Sequence, residues 1–303
     1  MSLPVPGPAT RAAWLLGGQV GHSVSPVMHN AAYRDMGLDA VYLAASVPAH
    51  RLGEALRGLR TLGFLGANLT LPLKEAALPY LDELEEPAST LRAVNTVREV
   101  GGRLVGSNTD ATGWLRSWEE QIGEPLEGRR VLLLGAGGAA RAIFWALAMR
   151  GAGPILVMNR DHDRAAALVE DLGRRLRTAS RAMVLDSDLF GSELGPGTVV
   201  INCTPVGMSP HTEESPVVWP RPLPPGVVAC DLIYNPLNSL FLATARRRGA
   251  RVMGGLGMLV HQAAAAIELW TGRRPSLEVM RRAALRALRG SYHESGARPA
   301  SRP

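Results

Sequence analysis

Short apolar runs alternate along the chain with longer stretches in which apolar residues recur every three or four positions. The runs predict strands at 12–16, 40–45, 66–70, 131–135, 155–159, 198–204, 227–234 and 250–253. The amphipathic stretches predict helices at 25–36, 50–61, 73–85, 88–91, 111–122, 138–150, 162–174, 237–248, 258–271 and 276–289. Strand–helix alternation of this kind is the pattern of α/β architecture built on parallel strands. The Pro-rich polar segment 209–226 reads as a loop. A second strand–helix series opens at Val131, so two domains are expected, with a cleft between them as the usual place for a ligand. The expected boundaries are an N-terminal α/β domain over 1–110, a second domain over 111–255, and helices within 256–290 returning to complete the first. Residues 291–303 read as a flexible basic tail.

The second series begins VLLLGAGGAARAIFWAL, a strand, a tight turn and a helix. Gly135, Ala136, Gly137, Gly138, Ala139 and Ala140 fit the G-x-G-x-x-G/A fingerprint of a Rossmann-type dinucleotide site. The first glycine permits the turn, the next lets backbone approach a pyrophosphate, and the small last residue packs helix on strand. The helix start then offers free N–H groups to phosphate. The following strand ends in Asn159, with Arg160 next and Arg164 one turn on. An NAD site usually carries an acid at that strand end to bind the ribose, whereas Asn does not repel a 2′-phosphate and two guanidiniums can pair with it. This favours NADP. Asp161 and Asp163 leave three readings open: they weaken phosphate binding, they accept from NAD, or Asp161 simply caps the next helix.

Four polar clusters precede or surround element ends in residues 20–110. GHSVSPVMHN places Ser23 and Ser25 before a helix with Pro26 in its first turn, which suits a carboxylate or, more plainly, an N-cap. GANLTLPLKEA contributes Asn68, Thr70 and Lys74, AVNTV contributes Asn95, and GSNTDATGW contributes Thr109 and Asp110. All four are expected at strand-to-helix junctions. Amides, hydroxyls, one ammonium and one carboxylate together suit a polyhydroxylated acid.

The ordered set HSVSPVMHN, NLTLPLKE, AVNTV, SNTDATG, GAGGAAR, NR, TPVGM, YNP and GLGMLVHQAA resembles the shikimate dehydrogenase family over about residues 12–289. The resemblance implies reversible, NADP-linked reduction of 3-dehydroshikimate to shikimate, a step of aromatic amino-acid and chorismate biosynthesis. It implies that Ser23 and Ser25 hold the substrate carboxylate, with Tyr234 near it. Asn68, Thr70, Asn95, Asp110 and Gln262 would bind ring hydroxyls, Lys74 and Asp110 would form the catalytic pair, and Gly255 and Met258 would border the nicotinamide. Chemically, reduction of a ketone builds alkoxide charge, so a proton donor and a positive field are needed at that oxygen, and a lysine beside a carboxylate supplies both. SNTD and NRD depart from the more frequent DNTD and NRT of the family. The related alternatives are a quinate/shikimate dehydrogenase that uses NAD or NADP, and a non-catalytic sensor of shikimate-like ligands.

Composition alters this picture at one point. The 303 residues are 46% hydrophobic and 20% charged, with a net charge of +6. That excess lies wholly within 273–302, on one terminal helix and the tail, so it reads as a solvated face and not a nucleic-acid groove. Of the 33 basic residues, 32 are Arg, and Lys74 is the single lysine. Cys203 and Cys230 lie in apolar runs and read as buried free thiols of a cytoplasmic protein. No secretory leader or membrane span is expected, no His/Cys cluster has metal-ligand spacing, and the protein is expected to be a monomer or homodimer. His22, His29 and His261 are expected to pack or cap.

Overall fold

The structure, a computed structural model, describes residues 6–294. The elements, in chain order, are β1 (Arg11–Gly17), α1 (Ser25–Asp35), β2 (Ala40–Ser46), α2 (Leu52–Thr61), β3 (Gly66–Leu69), α3 (Leu73–Ala76), β4 (Glu83–Leu84), α4 (Ala88–Leu91), β5 (Thr96–Val100) and β6 (Arg103–Ser107). They continue with α5 (Asp110–Gln121), β7 (Val131–Leu134), α6 (Gly138–Met149), β8 (Ile155–Asn159), α7 (His162–Leu168), β9 (Ser180–Val184), α8 (Ser187–Ser192), β10 (Val199–Asn202), β11 (Val228–Asp231), α9 (Leu240–Arg247), β12 (Arg251–Met253), α10 (Gly255–Thr271) and α11 (Leu277–Glu294). The chain divides into two compact units, one comprising Met1–Glu85, Val94–Ser107 and Ala263–Pro303, the other Glu86–Ala93 and Asn108–Gln262.

The first unit holds a six-stranded sheet in the order β2-β1-β3-β5-β6-β4. β1 pairs in parallel with β2 and β3, but β5 runs antiparallel to both β3 and β6, so this sheet is mixed and not parallel throughout. The cause is a hairpin at 96–107. Gly101 and Gly102 both take positive φ (58° and 81°), the geometry of a two-residue hairpin turn whose twist matches its strands. The helix expected over 73–85 stops at Ala76 because Pro79 cannot continue it; a 3-10 turn at Leu78–Tyr80 and the short β4 follow. On α11 the residues Met280, Ala284 and Leu288 are buried at helical spacing, and the helix packs on α1. Arg282 and Arg286 face solvent, Arg282 pairing with Glu278 one turn back. Of the expected tail at 291–303, residues 291–294 continue α11, and the remainder, with Arg298 and Arg302, lies outside the described residues.

The second unit holds a fully parallel six-stranded sheet in the order β12-β11-β10-β7-β8-β9. Relative to their own chain order the strands run 6-5-4-1-2-3, the Rossmann arrangement, whose switch point lies between β7 and β10. The central strands VLLL, VVIN and VACD are buried at every position, as strands covered on both faces must be. Their residues alternate between two cores: Val131, Leu133, Val199 and Ile201 join Phe144 and Trp114 on one face, and Leu132, Leu134 and Val200 join Trp219 and Phe241 on the other. The helix expected over 162–174 keeps its α form to Leu168 and then makes a π turn at Val169–Gly173. β9 and α8 fall where the sequence predicts no element. β9 is an edge strand of mixed polarity, and α8 is short and started by the Asp186 carboxylate, which accepts from the N–H groups of Asp188 and Leu189.

Candidate active site

In the first unit, α1 starts at Ser25 with Pro26 in its first turn. Val24 sits at the cap position and gives no side-chain cap; the Ser23 hydroxyl instead accepts the Ser25 N–H at 3.2 Å. A helix start with two serine hydroxyls and no side-chain cap at Val24 suits an anion. His22 is exposed, whereas His29 is fully buried. The His29 Nδ1–H donates to the Ser25 carbonyl (3.0 Å), and burial lowers its pKa to about 4, so the ring is neutral near neutral pH.

β3 delivers the next cluster. Asn68 is buried within the strand, Thr70 follows it half-buried, and Lys74 lies half-buried on α3. The Val94 N–H donates to the Lys74 carbonyl (2.8 Å), which ties AVNTV to the lysine-bearing turn. Asn95 is buried at the entry to β5, so its cluster lies at a helix-to-strand junction, unlike the other three; α4 has ended at Leu91 and Arg92 turns the chain with φ of 53°. Asn68 is committed to its neighbours. Its NH2 donates to the Asn95 carbonyl and the Thr96 hydroxyl (both 3.1 Å), and its oxygen accepts from the Tyr42 hydroxyl (2.8 Å). What Asn68 can offer a ring hydroxyl is the second lone pair of its amide oxygen.

In the second unit, Asp110 is the buried first residue of α5, where the helix dipole favours a carboxylate. Its N–H donates to the Asn108 side-chain oxygen (3.0 Å), and the Asn108 NH2 donates to the Ala93 carbonyl (2.9 Å). Thr109 occupies the cap position, also buried. One turn beyond Asp110, a Cβ on Gly113 would come within 2.8 Å of the Gln262 backbone nitrogen, so the missing side chain lets α5 and α10 close together. This brings Gln262 alongside the turn that carries Asp110. The half-buried Gln262 donates from its NH2 to the Leu259 carbonyl (2.9 Å). His261 is buried beside it with Nε2 3.1 Å from Glu120.

The glycine turn lies at the switch point of the parallel sheet. Gly135 takes φ of 105°, which a side chain would strain, and a Cβ there would press on Thr204 and Cys203 at 3.2–3.3 Å. Ala136, Gly137, Gly138 and Ala139 are half-buried, and a Cβ on Gly137 would meet nothing within 4 Å. α6 begins at Gly138 without a side-chain cap, and Ala140 is fully buried beneath it. An open, uncapped helix start over a glycine cradle fits a dinucleotide pyrophosphate. At the end of β8 the Asn159 NH2 donates to the Asp161 carbonyl (2.9 Å). The Asp161 carboxylate accepts from the N–H groups of Asp163 and Arg164, so it caps α7. Arg160 and Arg164 are exposed, and among the described residues no carboxylate pairs with either guanidinium.

Tyr234 follows β11 half-buried, and Gly255 opens α10 with its N–H on the Ile233 carbonyl (3.2 Å). Met258 packs in the core of this unit with Met253. Cys203 and Cys230 are free thiols, both pushed up by burial. A buried network at the ends of β10 and β11 was not apparent in the sequence. Asp231, 0% exposed, accepts from the Asn202 NH2 (3.0 Å), the Ile233 N–H (3.0 Å) and the Ser239 hydroxyl, while the Asn202 oxygen accepts from the Thr204 N–H and hydroxyl. Polar residues ending apolar strands (VVIN, VACD) were its only signal.

Among the described residues no helix is long and apolar enough to cross a membrane. Three family models match the chain: the shikimate dehydrogenase substrate binding domain over residues 15–97, shikimate/quinate 5-dehydrogenase over 118–204, and the shikimate 5′-dehydrogenase C-terminal domain over 255–285. The chain is 44% identical over 280 residues to the shikimate dehydrogenase (NADP+) of Methanopyrus kandleri, covering 92% of this chain and 97% of that one. The enzyme of the same name from Symbiobacterium thermophilum is 46% identical over 92% and 95%. Among solved structures, shikimate 5-dehydrogenase of Thermus thermophilus, in complex with NADP(H) and shikimate, superposes with a TM-score of 0.79 at 41% identity, covering 92% of this chain and all of that one. Carried at this identity across nearly its whole length, the chain belongs to the shikimate dehydrogenase family.

Proposed function

We propose that the protein is an NADP-dependent shikimate dehydrogenase, reversibly reducing 3-dehydroshikimate to shikimate. The observation that carries this reading is the identity to NADP-linked shikimate dehydrogenases over 92% of the chain, with the expected polar types in place on both units. The first unit serves as the substrate domain and the second as the dinucleotide domain. Ser23 and Ser25 hold the carboxylate, with Tyr234 near it, and Asn68, Thr70, Asn95, Asp110 and Gln262 hold ring hydroxyls. The backbone of Gly135, Ala136, Gly137, Gly138 and Ala139 holds the pyrophosphate. Asn159, Arg160 and Arg164 hold the 2′-phosphate, and Gly255 and Met258 border the nicotinamide. Bound NADPH supplies the hydride. Lys74 gives a proton to the oxygen that leaves the ketone state and takes it back in the reverse direction. Asp110 is the other member of the catalytic pair, and the positive charge of the lysine steadies the developing alkoxide. Such a biosynthetic enzyme works in the cytoplasm, as a monomer or homodimer.

The test is a two-by-two table of steady-state rates, shikimate and quinate each with NADP and NAD. The shikimate–NADP cell is expected to exceed every other in kcat/KM. Equal rates with quinate or with NAD would replace this reading by a broad-specificity quinate/shikimate dehydrogenase, and no turnover in any cell would favour a sensor. The cofactor column turns on the two arginines that follow β8, which are exposed and can pair with a 2′-phosphate, while the Oδ1 of Asp161 caps α7. Arg160→Ala is therefore expected to weaken NADP by about tenfold or more while NAD changes less than about twofold, since one charge-assisted hydrogen bond to phosphate is lost. Titration of both cofactors with the variant checks this; equal losses would put the 2′-phosphate elsewhere.

A further inference from the structure

Four residues of the first unit form a directed chain of hydrogen bonds. The Asn95 carbonyl is an acceptor, so the Asn68 atom 3.1 Å from it must be the amide nitrogen. The Asn68 oxygen then faces Tyr42, whose hydroxyl must donate to it at 2.8 Å. The second Asn68 hydrogen goes to the Thr96 hydroxyl (3.1 Å), and that hydroxyl donates to the Asn95 side-chain oxygen at 2.9 Å. Asn95 is thereby held with its oxygen on Thr96 and its NH2 on the opposite side. Tyr42, Asn68, Asn95 and Thr96 are all buried, so a reversed member would leave an unsatisfied group away from water.

The head of the chain is itself clamped, by residues of the HSVSPVMHN motif that bind no substrate in the reading above. Tyr42 lies on β2, the edge of its sheet. The Asn30 side chain accepts the Tyr42 N–H (2.8 Å) and donates to the Tyr42 carbonyl (2.9 Å), bonding the edge as a paired strand would. The neutral His29 ring stacks on the Tyr42 ring with centroids 3.8 Å apart at 18°. Its other end holds the carbonyl of Ser25 (3.0 Å). The serine turn and Asn95 are thus joined through one buried network.

We propose that Tyr42 and Thr96 are positioning residues that fix the Asn95 amide with its NH2 toward the substrate, so that a ring hydroxyl is met by a donor. The inference rests on the shikimate dehydrogenase reading. Thr96→Val keeps the shape of the side chain and removes the hydroxyl; Thr96→Ser keeps the hydroxyl and removes a methyl. In full-length protein, with NADP, Thr96→Val is expected to raise the KM for shikimate about tenfold with a much smaller change in kcat. Thr96→Ser is expected to stay within about twofold of wild type, and Tyr42→Phe to shift KM in the same sense as Val but by less. Thermal melts of each variant accompany the kinetics. A packing role predicts the reverse order, with Ser the worse variant. Wild-type KM in Thr96→Val, or Ser falling as far as Val, would overturn the relay alone, since the wild type would still turn over. An inactive wild type would overturn the relay together with the reading beneath it.

Discussion

Lys74→Ala is expected to lower kcat by about 10³-fold while the KM for shikimate rises far less, because general acid catalysis is worth roughly 10²–10⁴ and, in the proposed mechanism, the same ammonium also supplies the field at the alkoxide. Lys74→Arg is the sharper test. Every other basic residue of this chain is arginine, 32 against one lysine. Where charge alone is needed, arginine has sufficed. A guanidinium does not deprotonate in proteins and is a broad planar fork, whereas the lysine ammonium is a compact charge that can release its proton. The Arg variant is therefore expected within about tenfold of the Ala variant, both far below wild type. Single-turnover rates with NADP and shikimate separate this from slow product release. An Arg variant that keeps more than about a tenth of wild-type kcat would remove Lys74 from proton transfer and leave it a binding charge.

How much of this was readable beforehand depended on whether the signal was local. The dinucleotide turn was: GAGGAA between VLLL and an apolar helix specifies the turn, its φ and its packing within a dozen residues, and the structure shows Gly135 and Ala140 in those roles. The hairpin at 96–107 was missed: the Gly-Gly pair of EVGGRLV is a turn signal, but its strands are short and partly polar and the pattern of apolar runs passes over them. β9 carries little signal because an edge strand need not be apolar on both faces. The networks were not legible at all. Nothing in the spacing of Tyr42, Asn68 and Thr96, or of Asn202, Asp231 and Ser239, says that strands pair so as to bring them within hydrogen-bond reach. Asp161 shows the limit from the other side. Its identity left three roles open, and only the geometry of the α7 start assigns it to the cap.

Asp231 makes the stability of the second unit depend on pH. Burial, partly offset by the hydrogen bonds from Ser239, Ile233 and Asn202, raises its pKa from 3.8 to about 6. The sign follows from linkage. Between these values the native state holds a proton that the unfolded chain has released, so stability falls as pH rises through the window. The contribution is fully favourable below about pH 4 and is lost above about pH 6, a change of about 3 kcal/mol for this one group. Asp231→Asn removes the titration and keeps an oxygen for Asn202 and Ile233. The wild-type-minus-variant difference in unfolding free energy is therefore expected to move by about 3 kcal/mol toward the variant between pH 4 and pH 7.5, read from urea unfolding at each pH. A constant difference would mean that the carboxylate titrates normally in the fold. A buried charge retained at that expense needs a function, and the geometry supplies one. Through Asn202 it holds Thr204, whose methyl lies against the Gly135 turn, and through Ile233 and Ser239 it shapes the segment that carries Tyr234 and receives the N–H of Gly255. One carboxylate thus ties the Gly135 turn to the segment that carries Tyr234, a task that an apolar residue of the same size has no donors or acceptors to perform.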